Sequence, residues 1–195
     1  MQATMIAALY VDTDGPYYGV DGIDPWDQTR DARLYSGPHP VIAHPPCNHW
    51  SVLANVNAAQ YEHFHIGDDK GCFEAALAAV RTFGGVLEHP AHSMAWAHYG
   101  LPEPTRHGWA GSLTDPGLST EVSQVAYGHV ARKRTWLYAV GCDPLSLNWT
   151  EPQASHRVGH KGSYSGELLR VDPKAAIHTP PAFRQQLIDI VRTAR

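Results

Sequence analysis

The sequence predicts an α/β fold with a mostly parallel sheet, and three observations carry that reading. Met5 to Val11 (Met-Ile-Ala-Ala-Leu-Tyr-Val) is apolar without alternation, the pattern of a strand covered on both faces. Phe73, Leu77 and Val80 recur at helical spacing between two short apolar runs, Pro40 to His44 and Val86 to Pro90. Strand, helix and strand in that order make the unit from which parallel sheets are built. Thr179-Pro180-Pro181 is a helix start, after which Phe183, Leu187, Ile190, Val191 and Ala194 form one apolar face. At 195 residues the chain has room for one full core, so a single domain over residues 1–195 is expected.

Each element follows from local chemistry. Asp12-Thr13-Asp14-Gly15-Pro16 breaks the first strand. A second strand is expected from Tyr18 to Ile23, ending at Asp24-Pro25, and a third from Pro40 to His44. Trp50, Leu53 and Val56 then recur at helical spacing. The helix Phe73 to Phe83 stops at Gly84-Gly85 and leads into Val86-Leu87-Glu88-His89-Pro90, a strand with a carboxylate at its end. Ala97 to Thr120, rich in Gly, Pro and polar residues, reads as a long loop. Two further strands are expected at Val122 to Tyr127 and Thr135 to Gly141, and Asp143 to Asp172 carries only a weak pattern.

Composition narrows the function classes. The net charge of −4 provides no global basic field for gripping duplex DNA, and the one cationic cluster is Arg132-Lys133-Arg134. Three cysteines without a close pair fit a reducing compartment. The N-terminus lacks the pattern of a secretory leader and the apolar runs are short, so a cytoplasmic location and no membrane partner are expected. Among His44, Cys47, His49, His63, His65 and Cys72 no zinc-ligand spacing occurs, and no metal is expected.

The chemistry concentrates at strand ends. Pro45 and Pro46 fix φ and remove two amide donors, so Cys47 leaves the sheet on a rigid turn, as a nucleophile requires. Glu88 ends the next strand, and in an open α/β sheet such ends share one crevice. In order, Pro45-Pro46-Cys47, Leu87-Glu88-His89-Pro90, and Tyr127-Gly128 followed by Arg132-Lys133-Arg134 resemble three motifs of the DNA cytosine-5 methyltransferases. These are Pro-Pro-Cys, Glu-Asn-Val or Glu-Asn-Pro, and Tyr-Gly with Gln-x-Arg-x-Arg. Thr179-Pro180-Pro181-Ala182-Phe183 resembles the family's closing Pro-Pro motif and its helix. The chain is also similar to small phage-type proteins that carry Ala-His-Pro-Pro-Cys together with Leu-Glu-His-Pro.

That resemblance implies a Rossmann-like methyltransferase sheet, with a reduced N-terminal cofactor region and no large target-recognition domain. It implies Cys47 as the nucleophile toward C6 of a pyrimidine, Glu88 as the group holding N3 and the exocyclic amine, and Arg132 and Arg134 as cations that orient the base and favour the Cys47 thiolate. The implied cofactor is S-adenosylmethionine, with Asp12, Gly15 and Asp24 as the candidate residues to hold it. The implied partner is nucleic acid or a pyrimidine nucleotide, with a protein partner to supply sequence recognition. The departures are specific: Asp12-Thr13-Asp14-Gly15-Pro16 stands in place of a glycine-rich loop, His89 in place of Asn, and Val130 near the expected Gln. Two alternatives stay open: a pyrimidine nucleotide-modifying or hydrolytic enzyme without S-adenosylmethionine, and a noncatalytic binding remnant of the fold.

Overall fold

The computed structural model of the chain describes residues 5–51, 54, 65–157 and 168–195. In chain order the elements are β1 Ile6–Leu9, β2 Ile23–Trp26, β3 Val41–Ala43, α1 Cys72–Phe83, β4 Gly85–Pro90, α2 Met94–His98, β5 Ala110–Gly111, β6 Leu118–Ser123, β7 Arg134–Val140, β8 His156–Arg157, β9 Leu169–Arg170, α3 Pro173–Ile177 and α4 Pro181–Val191. Seven strands form one mixed sheet in the order β2-β1-β3-β4-β7-β6-β5, and β8 pairs with β9 separately. β2, β1, β3 and β4 are parallel neighbours. β7 runs antiparallel to both β4 and β6, and β5 antiparallel to β6. Among the described residues no helix is long and apolar enough to cross a membrane.

The continuous apolar strands are explained by cover on both faces. Ala7, Leu9, Val41, Ala43 and Leu87 pack against α1 through Phe73, Ala76, Leu77 and Val80, together with Trp50 and Trp96. Their alternates Ile6, Ala8, Ile42, Val86 and Leu137 pack against Phe183, Leu187, Ile188 and Val191 of α4. Burying one such side chain fully contributes about 1.5–3 kcal/mol, so each helix is held chiefly by its apolar face. Asp69 organises the start of α1: its carboxylate accepts from the backbone N–H of Phe73 at 2.8 Å and of Gly71 at 3.0 Å, and from Trp50 Nε1 at 2.8 Å.

The register places Glu88 inside β4, paired with Leu137 of β7, and not at the strand end that the sequence predicts, because the ladder with β7 continues to Pro90. Ile42 pairs with Val86 and Ala43 with Leu87, so His44 and Glu88 follow two residues later on the α4 face. His89 falls on the α1 face, where its ring meets Phe73 edge-on. The close approach of β3 to β4 depends on Gly85, whose φ is +135° and where an added Cβ would lie 2.0 Å from the Val41 carbonyl oxygen.

Several boundaries differ from the sequence expectation. The second strand is Ile23–Trp26, not Tyr18 to Ile23, and Pro25 sits inside it because an edge strand leaves one side free of ladder bonds. Residues 97–120 are not all loop: α2 ends there, and β5 and the start of β6 lie within the span. The strand expected at Val122 to Tyr127 begins earlier, at Leu118, and Gln124–Tyr127 forms a 3-10 turn. After Cys47 a 3-10 turn, Asn48–Trp50, is formed. The helix expected through Leu53 and Val56 lies outside the described residues.

Candidate active site

A cleft of about 1000 Å³ opens beyond the ends of β1, β3 and β4. His44, Pro45, Pro46 and Cys47 enter it from β3, Glu88, His89 and Pro90 from β4, and Lys133 from the approach to β7. Cys47 is exposed, whereas the Glu88 side chain is only 12% exposed. Cys47 and Glu88, which the sequence reading paired, thus line the same cleft.

Glu88 belongs to a hydrogen-bonded chain. Oε2 lies 2.9 Å from His44 Nδ1, and His44 Nε2 lies 2.8 Å from the buried Tyr17 hydroxyl. Nδ1–H donates to the carboxylate, and the phenol holds the ring at Nε2. Among the described residues Oε1 has only a long contact of 3.5 Å from Gln124 Nε2, which donates at 2.9 Å to Thr135 Oγ1. Burial pushes the Glu88 carboxyl up, but the hydrogen bond and charge of His44, followed by Lys133, outweigh it and hold the group below its ordinary value. The Cys47 thiol is shifted the other way: burial raises it, the Glu88 charge raises it further, and Lys133 opposes both without prevailing. The resting pair is therefore a thiol and a carboxylate.

The cation facing this pair is Lys133. Burial lowers its pKa while Glu88 and Cys47 raise it, and Nζ donates to the carbonyls of Ile177 and His178 at 3.2 and 3.3 Å. Arg132 and Arg134 also reach the cleft wall, but carboxylates hold both guanidinium groups. Arg132 pairs with Glu151. Arg134 donates to Glu121 at 2.7 and 2.8 Å, and its Nη1 lies 2.9 Å from His92 Nε2. The cation role that the resemblance implies for Arg132 and Arg134 beside Cys47 is thus occupied by the residue between them.

His89 lies beneath the Pro45-Pro46 turn. Its Nδ1 is 2.8 Å from Ser93 Oγ, and that hydroxyl accepts from Ala95 N–H at 3.2 Å. Burial pushes the imidazole down to about 4, although the charge of Glu88 and the carbonyls of Pro46 and Pro45 act in the opposite direction. A neutral ring is the consequence, and its buried Nε2 has no hydrogen-bond partner among the described residues.

The other end of the cleft is lined by Asp12, Asp27, Gln28, Asp31 and Arg33. A nucleoside cofactor there needs a free carboxylate at the second strand end and a glycine cradle. Asp24 does not line the cleft: Arg30 Nη1 holds it at 2.6 Å and Trp26 Nε1 at 2.9 Å. Asp27, which does line it, is saturated. Its Oδ1 accepts from the backbone and hydroxyl of Thr29, and its Oδ2 from Thr13 and Tyr18. Gly15 is closed into a turn, its N–H donated to the Asp12 carbonyl at 2.9 Å. This arrangement does not fit S-adenosylmethionine, although Asp12 stands at the cleft edge.

His44, Tyr17 and Lys133 are the site residues that motif reading missed. Strand parity points to the first, because His44 and Glu88 each stand two residues beyond a paired apolar residue. Tyr17 enters from a loop and carries no comparable signal. Compared with models of protein families and with curated protein sequences, the chain matches none.

Proposed function

We propose that the chain activates a pyrimidine at C5 through covalent addition of Cys47 to C6, the step on which cytosine-5 modification depends, with cytosine in nucleic acid as the first substrate. One observation carries the reading: Cys47 and Glu88 leave adjacent parallel strands into one cleft, close enough that the charge of one shifts the other. The Rossmann-like methyltransferase sheet implied by the motifs is compatible with the parallel order β2-β1-β3-β4, with Cys47 beyond the carboxyl end of β3 and Glu88 in the carboxyl half of β4.

The chemistry follows from the resting states. As the Cys47 sulfur bonds to C6, its proton passes to Glu88, the C5=C6 pair becomes a C4=C5 bond, the C4=N3 pair moves onto N3, and the carboxyl delivers the proton there. Lys133 offsets the negative charge that moves between sulfur and carboxylate. In a duplex the base has to leave the stack before C6 can be reached.

The saturated Asp27 favours a second reading, in which the substrate is a pyrimidine nucleotide and S-adenosylmethionine takes no part. Addition at C6 removes the ring's aromatic stabilisation and exposes C4 to water, so hydrolysis with loss of ammonia is open to the same residues. Both readings require addition at C6, which makes the C5 hydrogen exchangeable. Tritium release from [5-³H]cytosine, supplied in a single-stranded oligonucleotide or as the free nucleotide, tests that shared step without any cofactor. The full chain is expected to release it and Cys47→Ala to release none. No release by the wild-type chain from either substrate would leave the noncatalytic binding reading in its place.

A further inference from the structure

Glu88 is restrained on one side only. Oε2 is fixed by His44, whose ring packs tilted against Tyr17 with centroids 5.4 Å apart, while Oε1 keeps, among the described residues, only the long Gln124 contact. Tyr17 is 3% exposed and the His44 side chain 15% exposed, so the chain of three residues is sheltered along its length. A sheltered polar chain with every link satisfied restricts side-chain rotation more than an exposed one does. None of the three motifs that carry the resemblance includes Tyr17 or His44.

We propose that Tyr17 and His44 are positioning residues for Glu88: the imidazole pins Oε2 through Nδ1–H, the phenol fixes the imidazole, and Oε1 is the atom that takes the Cys47 proton and passes it to the pyrimidine. The role rests on the covalent reading above. The imidazole also governs the protonation of Glu88. The groups acting on that carboxyl come from several directions: His44 beyond β3, Cys47 on the proline turn, His89 on β4, Lys133 before β7, and Tyr17 from the β1–β2 connection, with Arg184 of α4 acting on Tyr17. After burial, the hydrogen bond and charge of His44 are the leading influences on Glu88. Removing them leaves the upward push of burial less opposed, so Glu88 holds its proton to higher pH and cannot receive the one from Cys47.

The test uses the full chain with His44→Ala, His44→Asn and Tyr17→Phe. Two quantities are followed against pH: tritium release from [5-³H]cytosine, and the ¹³C carboxyl resonance of Glu88, assigned by its loss in Glu88→Gln. His44→Ala is expected to lower release near neutral pH by about 10²-fold, with the acidic limb displaced to higher pH and the deficit shrinking as pH rises. The Glu88 resonance should titrate at higher pH in the same variant. His44→Asn, whose amide can donate where Nδ1–H did, should recover most of the rate, and Tyr17→Phe, which keeps the buried ring, should displace the limb by less. A variant profile merely scaled down without displacement, or a Glu88 titration unchanged in His44→Ala and Tyr17→Phe, would overturn the positioning role. A wild-type chain that releases no tritium would instead overturn the covalent reading, while the Glu88 titration still decides whether His44 governs that carboxyl.

Discussion

At the scale of single residues, the site rests on the opposed shifts of Cys47 and Glu88. Because the Glu88 charge helps keep the thiol protonated, Glu88→Gln should make Cys47 alkylate faster near neutral pH, as read by peptide mass spectrometry. The same substitution should slow tritium release by about 10²- to 10⁴-fold. Faster alkylation with slower release separates electrostatics from catalysis, and an unchanged alkylation rate would disconnect the two residues. His89 makes a separate prediction about stability. Its imidazole is held neutral down to about pH 4, against an ordinary value of 6.5. Between those values the unfolded chain takes up a proton that the folded chain refuses, so stability falls as pH falls through that window. The full difference is on the order of 3 kcal/mol. Urea midpoints should therefore drop between pH 6.5 and 4.5, above the range where ordinary carboxylates titrate. His89→Asn should flatten that slope, and an equal slope in the variant would place its origin elsewhere.

At the scale of elements, the site exists because β3 and β4 are adjacent and in register. Gly85 permits their approach, so Gly85→Ala must push the strands apart or distort β4. The expected loss is at least about 3 kcal/mol in urea unfolding, the upper range for overpacking, because the atom met is backbone and cannot rotate away. Tritium release should fall as well, since β3 leads to Cys47 and β4 carries Glu88. A fully stable variant would contradict the register. The two helices divide the remaining work: α1 covers one face of the sheet, and α4 covers the other after starting next to the cleft at Thr179. The Lys133 ammonium on the carbonyls of Ile177 and His178 ties that C-terminal segment to the site.

At the scale of the whole molecule, charge and cofactor fit set the expectations. Of the cations lining the cleft, Arg33, Arg132 and Arg134 are paired with Asp31, Glu151 and Glu121, and Arg30 with Asp24. Lys70 and Lys133 are the cleft cations without a carboxylate ion pair among the described residues. Duplex binding by the purified chain should be weak, with a log–log salt slope no steeper than about −2. A steep slope with one strong consensus in footprinting would show a recognition surface beyond this cleft. Calorimetry with S-adenosylmethionine should register little or no heat of binding, because Asp27 is already saturated. Tight binding weakened by Asp12→Ala would restore the plain methyltransferase reading.

The sequence alone determined the two-sided cover of the sheet, the β3–α1–β4 unit, the start of α4, and the placement of Cys47 just beyond a strand end, whereas Glu88, expected at a strand end, lies inside β4. Those features are local: apolar continuity, helical spacing, and the fixed φ of proline act within a few residues of chain. Only the tertiary structure decided that β7 lies against β4 in antiparallel register, that Gln124 reaches Glu88, and that Asp27 rather than Asp24 faces the cleft. It also decided which member of Arg132-Lys133-Arg134 meets the thiol. Partners in an ion pair are chosen by distance in space, and Glu151 and Glu121 are distant or on another strand in the chain. Tyr17, 27 residues from His44 in sequence, joins the site for the same reason: a loop residue carries no periodicity, and its role depends on what the folded sheet brings beside it.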